Sequence, residues 1–135
     1  MSTPPVVTAF YERIWNAGDL AGVSELLAPD LAFRGSLGAE LRGRDAFREY
    51  VTSTRAALAG YRCEILDCVS EGDRAFAKLR FSGRHVGALR GRAPSGQHVS
   101  WLAAALFQIR GAQISNVWVL GDLVALDAQL EAAER

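Results

Sequence analysis

Asp122 is the residue on which chemistry would turn. It ends the stretch Ile114-Ser115-Asn116-Val117-Trp118-Val119-Leu120-Gly121-Asp122, which alternates as a strand does and is apolar on both faces. Strand side chains repeat every two residues, so Ile114, Asn116, Trp118, Leu120 and Asp122 share a face. A carboxyl at the rim of an apolar surface resists ionisation. That makes it a general acid or base for work near neutral pH. The competing reading is local. The residues from Leu123 onward have helical composition, and aspartate is a favoured N-cap. Spacing alone leaves both readings open.

The preceding strand supplies the partners. With a three-residue turn over 111–113, Arg110 lies opposite Ile114, Gln108 opposite Asn116 and Asp122 opposite Leu102. Gln108, Asn116, Trp118 and Asp122 then share a face with Leu102, Ala104 and Leu106. A few polar groups in an apolar field describe a small-molecule pocket. A four-residue turn would move Gln108 to the other face from Asp122. Trp118 reads as a core residue ahead of a binding platform. Asn116 and Gln108 read equally as edge groups satisfied by backbone or water.

His85 lies in Phe81-Ser82-Gly83-Arg84-His85-Val86-Gly87. It suits proton transfer or hydrogen bonding to a carbonyl, or a purely structural place. His98, among polar neighbours, is expected at the surface. Arg84, Arg90 and Arg92 read as solvated loop residues, because no helix N-terminus or interleaved aromatic accompanies them. Cys63 and Cys68, five apart on an expected strand, point to opposite faces and read as small packing residues rather than a disulfide. No Cys/His cluster completes a metal site. The nucleophile elbow, the phosphate-binding loop and the dinucleotide glycine fingerprint are all missing.

These residues need a frame. Val7, Phe10, Tyr11, Ile14 and Trp15 follow helical spacing, and Asn16-Ala17-Gly18 supplies a stop. Asp19 fits the N-cap of a short second helix that buries Leu20, Val23, Leu26 and Leu27 and ends at Pro29-Asp30. A short strand over 31–34, a glycine-rich loop over 35–43 and a third helix over 44–58, closed by Gly60, complete the first half. The second half reads as four strands, 61–70, 74–86, 98–110 and 114–122, with a bend or loop over 87–97. A short helix over 123–135 ends the chain. Helices followed by antiparallel strands predict one α+β domain over 1–135. In the third long strand Val99, Trp101, Ala103, Ala105, Phe107 and Ile109 form one apolar side, and Leu102, Ala104 and Leu106 the other. The helices cover one side. The other predicts a homodimer, with a second copy as its cover.

Composition narrows the class. The 135 residues are half hydrophobic, enough for a core plus a pocket or an interface. Fifteen basic residues balance fifteen acidic ones without forming blocks, so neither nucleic acid nor a membrane surface is the expected partner. No apolar run approaches the ~20 residues that span a bilayer. Met1-Ser2-Thr3-Pro4-Pro5 lacks the marks of a signal peptide, so a cytoplasmic protein is expected.

Several segments carry a resemblance to a known family. Phe10-Tyr11-Glu12-Arg13-Ile14-Trp15-Asn16-Ala17-Gly18-Asp19, then Leu26-Leu27-Ala28-Pro29-Asp30, resembles the opening of NTF2-like domains. Gly43-Arg44-Asp45-Ala46-Phe47 resembles the start of their third helix. Gly83-Arg84-His85-Val86-Gly87 and Gly91-Arg92-Ala93-Pro94-Ser95-Gly96-Gln97-His98-Val99 resemble the glycine-histidine and proline-glycine stretches of SnoaL-like polyketide cyclases. Ile114, Trp118 and Asp122 are spaced like that family's closing motif. The resemblance implies a cone-like α+β fold, with helices packed on a strongly curved, mainly antiparallel sheet that encloses a pocket. It also implies a cofactor-free aldol ring closure or related enolisation of a small hydrophobic carbonyl compound. Asp122 would then be the acid–base group. The position of the family's assisting histidine reads Gln108, which can hydrogen-bond an enolate but carries no proton at neutral pH. Its usual acid before the tryptophan reads Asn116. His85 is a possible assisting group, and Trp118, Asn116, Leu102, Leu106 and Arg34 are the expected substrate-binding set. The alternatives are a non-catalytic module that binds a small hydrophobic ligand or dimerises and, at lower rank, an isomerase or epoxide hydrolase.

Overall fold

The computed structural model describes residues 3–134. The N-terminal segment Met1-Ser2 and the last residue of the expected final helix, Arg135, lie outside the described residues. Helix α1 begins at Pro5–Ala9 with a proline in its first turn, where the missing N–H costs nothing. It continues through Phe10–Asn16 as a π-helix, in which the Ala17 N–H bonds the Glu12 carbonyl five residues back. The wider turn places Phe10, Tyr11, Ile14 and Trp15 all in the core. Gly18, at φ +70°, ends it in the left-handed conformation that favours glycine.

Helix α2, Gly22–Leu26, gives way directly to β1, Leu27–Arg34. The strand therefore begins before Pro29, which the sequence reading took as a helix end. Pairing is irregular between Leu27 and Ala32, and proline is tolerated at such irregularities. Strand β2, Glu40–Arg42, lies inside the segment read as loop; its three residues are too few to show alternation. Helix α3, Arg44–Ala57, buries Phe47, Val51, Thr54 and Ala57. Strands β3, Leu58–Glu71, β4, Arg74–His85, β5, His98–Arg110, and β6, Gln113–Gly121, follow, and α4, Leu123–Ala133, closes the described chain. Gly60 does not end a helix; it sits inside β3 at φ +65°, where the pairing with β4 shifts register.

The six strands form one mixed sheet in the order β2-β1-β6-β5-β4-β3, with β1 parallel to β6 and every other pair antiparallel. The result is an α+β fold whose helices pack on one face of the sheet. Odd-numbered residues of β4, β5 and β6 are buried on that inner face, among them Ala77, Leu79, Phe81, Trp101, Ala105, Phe107, Val117 and Val119. Even-numbered residues form the outer face, where Phe76, Leu102, Trp118 and Leu120 stay exposed; Ile114, expected on that face, lies beyond an irregularity in the β5–β6 pairing and is fully buried instead. The β5–β6 turn has two residues rather than three, since Arg110 pairs with Gln113. An irregularity next to it restores the expected pairing of Gln108 with Asn116.

Candidate functional site

The inner face and the helices enclose an aromatic cavity. Phe10, Tyr11 and Trp15 enter it from the π-helical turn, Tyr50 and Thr54 from α3, Phe33 from β1, and Tyr61, Phe81, Trp101 and Val119 from the sheet. Gly35, Ser36 and Leu37, from the β1–β2 turn, close it. The placement follows from local structure. The π-helix adds a residue to one turn and so presents neighbouring aromatics to the same space, an irregularity found often at functional sites. Tyr61, Phe81 and Trp101 come from adjacent strands, with Phe81 directly opposite Trp101 and Tyr61 at the register shift of β3. Their rings stand 6.1 and 5.6 Å apart. The free space is about 20 Å³, room for a single water molecule.

No charged side chain lines this cavity among the described residues. Its polar groups are hydroxyls and two indoles, those of Trp15 and Trp101. All three tyrosines of the chain are here. Burial pushes the Tyr11 and Tyr61 phenols well above their usual value, and repulsion from Cys63 adds to it. Burial raises Tyr50 as well, against a Thr54 hydrogen bond that lowers it. The phenols therefore remain protonated and keep an O–H to donate. The Trp101 Nε1–H is buried and finds no acceptor among the described residues.

The residues expected from the sequence lie elsewhere, in three places. Leu102, Leu106, Gln108, Asn116 and Trp118 do share a face, but it is the outer one, away from the helices. Arg34 joins them, with its guanidinium 5.7 Å above the Trp118 ring and an N–H donated to the Val119 carbonyl. Arg34, Asn116 and Trp118 line an open groove of about 390 Å³ on that face, together with the charged Glu40 and Arg42. Asp122 is exposed at the start of α4. Its carboxylate accepts the Ala125 N–H at 3.1 Å, and its own N–H donates to Leu102. Gln108 stands six residues further along the sheet, about 20 Å from Asp122 at the usual rise per residue, so one small substrate does not span both. The assignment of the pocket to the even-numbered face is thereby corrected. Both faces of β5 are apolar, and alternation does not say which one the helices cover. The neighbouring strand does: Arg80 pairs with Leu102, Lys78 with Ala104 and Arg74 with Gln108, and a face shared with three cations belongs to solvent.

His85 occupies the third place. It is buried at the end of β4 and does not line the cavity. Its Nδ1 accepts the Ser95 N–H at 3.3 Å and lies 3.0 Å from the Ser95 hydroxyl. Its backbone N–H and C=O bond Gln97 and Gly96. The flanking glycines allow close packing. A Cβ at Gly83 would lie 2.9 Å from the Leu58 Cβ, and one at Gly87 would lie 2.9 Å from the Ala57 Cα. The glycine-histidine and proline-serine-glycine segments thus fasten the β4–β5 loop to itself and to the end of α3. Cys63 and Cys68 are free thiols; Cys63 is buried and burial raises its pKa, so it packs rather than reacts. Among the described residues no group of acids, cysteines and histidines could hold a metal ion, and no helix is long and apolar enough to cross a membrane.

The architecture has many solved counterparts. TsrD from Streptomyces laurentii is 27% identical and superposes with a TM-score of 0.82 over 98% of this chain and 99% of its own. IdmH from Streptomyces antibioticus, a candidate polyketide cyclase, is 25% identical, with a TM-score of 0.80 over 93% of this chain and 96% of its own. A candidate SnoaL-like polyketide cyclase from Jannaschia sp. CCS1 shares the fold at 19% identity, with a TM-score of 0.85 over 98% of both chains. No curated protein matches the sequence. The profile of one family, described as SnoaL-like polyketide cyclase, matches residues 5–130, and the chain belongs to that family.

Proposed function

We propose that this chain carries out a cyclase-like reaction on a small, neutral, hydrophobic carbonyl compound held in the aromatic cavity. The observation that carries this reading is the lining itself: mostly aromatic rings, no charge, and hydrogen-bond donors held in their protonated form. In an aldol closure a carbon beside a carbonyl gives up a proton. The enolate carbon then bonds to a second carbonyl carbon, whose oxygen takes up a proton. A shaped cavity favours this by holding the chain folded with its reacting carbons close, an effect that reaches several kcal/mol in well-oriented cases. Phenol and indole donors stabilise charge on the enolate or alkoxide oxygen. No carboxylate or imidazole is among the lining residues described, so the cavity contributes shape and donors, and the carbon proton leaves to water. Entry requires the turn that carries Ser36 and Leu37 to swing outward, because the present space admits only water.

The same lack of an acid–base side chain favours a second reading, in which the cavity binds such a compound without transforming it. One experiment separates the two. A set of linear poly-β-keto esters is incubated with the protein, and ring-closed products are followed against the spontaneous rate. Acceleration that falls about ten- to a hundredfold in Tyr61→Phe supports catalysis by the cavity donors. Binding without acceleration establishes the second reading. The absence of both removes the cavity from either role.

A further inference from the structure

We infer that the indole N–H of Trp101 is the group that reads the ligand's oxygen, so that the cavity selects a neutral compound bearing a carbonyl over its hydrocarbon counterpart and over an anion. This deepens the cavity reading above and rests on it. Trp101 is 3% exposed, lines the cavity, and carries a buried N–H with no acceptor among the described residues. Buried donors are nearly always paired, and one left open beside a binding space is explained by a partner that arrives from outside. An indole nitrogen donates only, so the partner must be an acceptor.

The surroundings hold the donor in place. Trp101 faces Phe81 across the strand pair. A Cβ built on Gly121 would lie 3.3 Å from the indole nitrogen and 2.8 Å from the Ser36 carbonyl oxygen, so glycine is what lets the β1–β2 turn pack this close to the indole edge. The indole therefore meets whatever lies beneath the β1–β2 turn, the side from which a ligand would enter. The chemistry then sets the ligand class. A carbonyl oxygen satisfies the donor. A hydrocarbon leaves it unpaired. A carboxylate would bring a charge into a space where no cation lines the wall, and a buried charge without a partner is strongly disfavoured. The phenols of Tyr11 and Tyr61 remain as further donors for a second oxygen.

The test uses acetophenone, isopropylbenzene of the same shape without the oxygen, and benzoate. Binding is followed by proton–nitrogen NMR of the wild-type protein with the tryptophan side-chain signals assigned. Acetophenone should move the Trp101 N–H signal downfield, and isopropylbenzene should not. In Trp101→Phe the affinity for acetophenone should drop about five- to tenfold while that for isopropylbenzene holds. Benzoate should bind far more weakly than acetophenone. Binding of both neutral probes with an unmoved Trp101 signal overturns the indole assignment and leaves the cavity reading in place, and the wild-type signal decides this even if the variant fails to fold. Benzoate binding as tightly as acetophenone overturns the neutral class. If neither neutral probe moves the signal of any cavity residue, the cavity reading fails and the indole assignment with it.

Discussion

The Asp122 carboxylate accepts the Ala125 N–H at the first turn of α4, and this geometry makes a prediction that separates a cap from an acid–base group. Asparagine caps a helix about as well as aspartate, whereas alanine costs about 1 kcal/mol. As a cap, Asp122→Asn should leave the melting temperature and any turnover near wild type, and Asp122→Ala should lower stability by roughly that amount. An acid–base role would be lost in both variants alike, so turnover that collapses in Asp122→Asn would return the carboxylate to the chemistry. The tyrosines give a second prediction. Their folded values lie above the unfolded value near 10, so the stability they contribute is fully present below pH ~10. Above that the unfolded chain loses phenol protons that the folded chain keeps, and stability falls as pH rises toward the folded values. Since all three tyrosines line the cavity, tyrosinate absorbance should stay low through pH 10 and rise together with the loss of ellipticity. A rise that precedes unfolding would show that the cavity admits hydroxide.

At the scale of elements, the long strands and the third helix were legible because each has a clear period and a glycine at its turn. Strand β5 was read with its observed ends, and α3 differs by one residue. The three-residue β2 was not legible, and neither was the π-helix, because a helical stripe looks the same whether one turn is widened or not. The candidate site was missed for a related reason. Its members, from Phe10 to Trp101, are all ring residues that sequence reasoning assigns to core, and the distinguishing sign was indirect: the cations of β4 lie beside Leu102 and Ala104 and mark the opposite face as inner. The β4–β5 loop was expected to bend, but what holds it was not visible. Arg90 pairs with Asp127, and Arg92 with Glu131 and Glu134, so α4 pins the loop. The Arg90 hydrogen bond holds the Asp127 carboxyl below its usual value. The pin is therefore intact above the ordinary carboxylate range and is lost as pH falls through that lowered value. Hydrogen exchange at Leu89 and Arg92, corrected for the intrinsic rate, should speed up below pH ~4 while Leu79 and Ala105 stay protected. Equal acceleration at all four would mean global acid unfolding instead.

At the scale of the molecule, the outer face carries exposed apolar residues in rows. One row runs across five strands, Val69, Phe76, Leu106, Trp118 and Arg34, each residue opposite the next. The row beside it runs Asp67, Lys78, Ala104, Leu120. The β5–β6 half is thus apolar, while the β3–β4 half mixes the apolar Val69 and Phe76 with the opposed charges of Asp67 and Lys78. Four strands of this length present a patch roughly 20 by 30 Å, comparable with the ~800 Å² that each partner of a stable complex buries. The occupant we propose is a second copy of the chain related by a two-fold axis, because a face of mixed apolar and balanced charge complements itself. Sedimentation at micromolar concentration should give a dimer. Leu120→Glu and Leu106→Lys, at exposed or half-buried outer positions away from the inner core, should give a folded monomer with an unchanged far-ultraviolet spectrum. The cavity lies on the other side of the sheet, so ligand binding measured in those monomers should persist. A wild-type monomer at that concentration would leave the outer face to another partner. Binding that disappears with the dimer would mean that the face and the cavity are coupled through β5, whose Trp101 looks inward while Leu102 looks out.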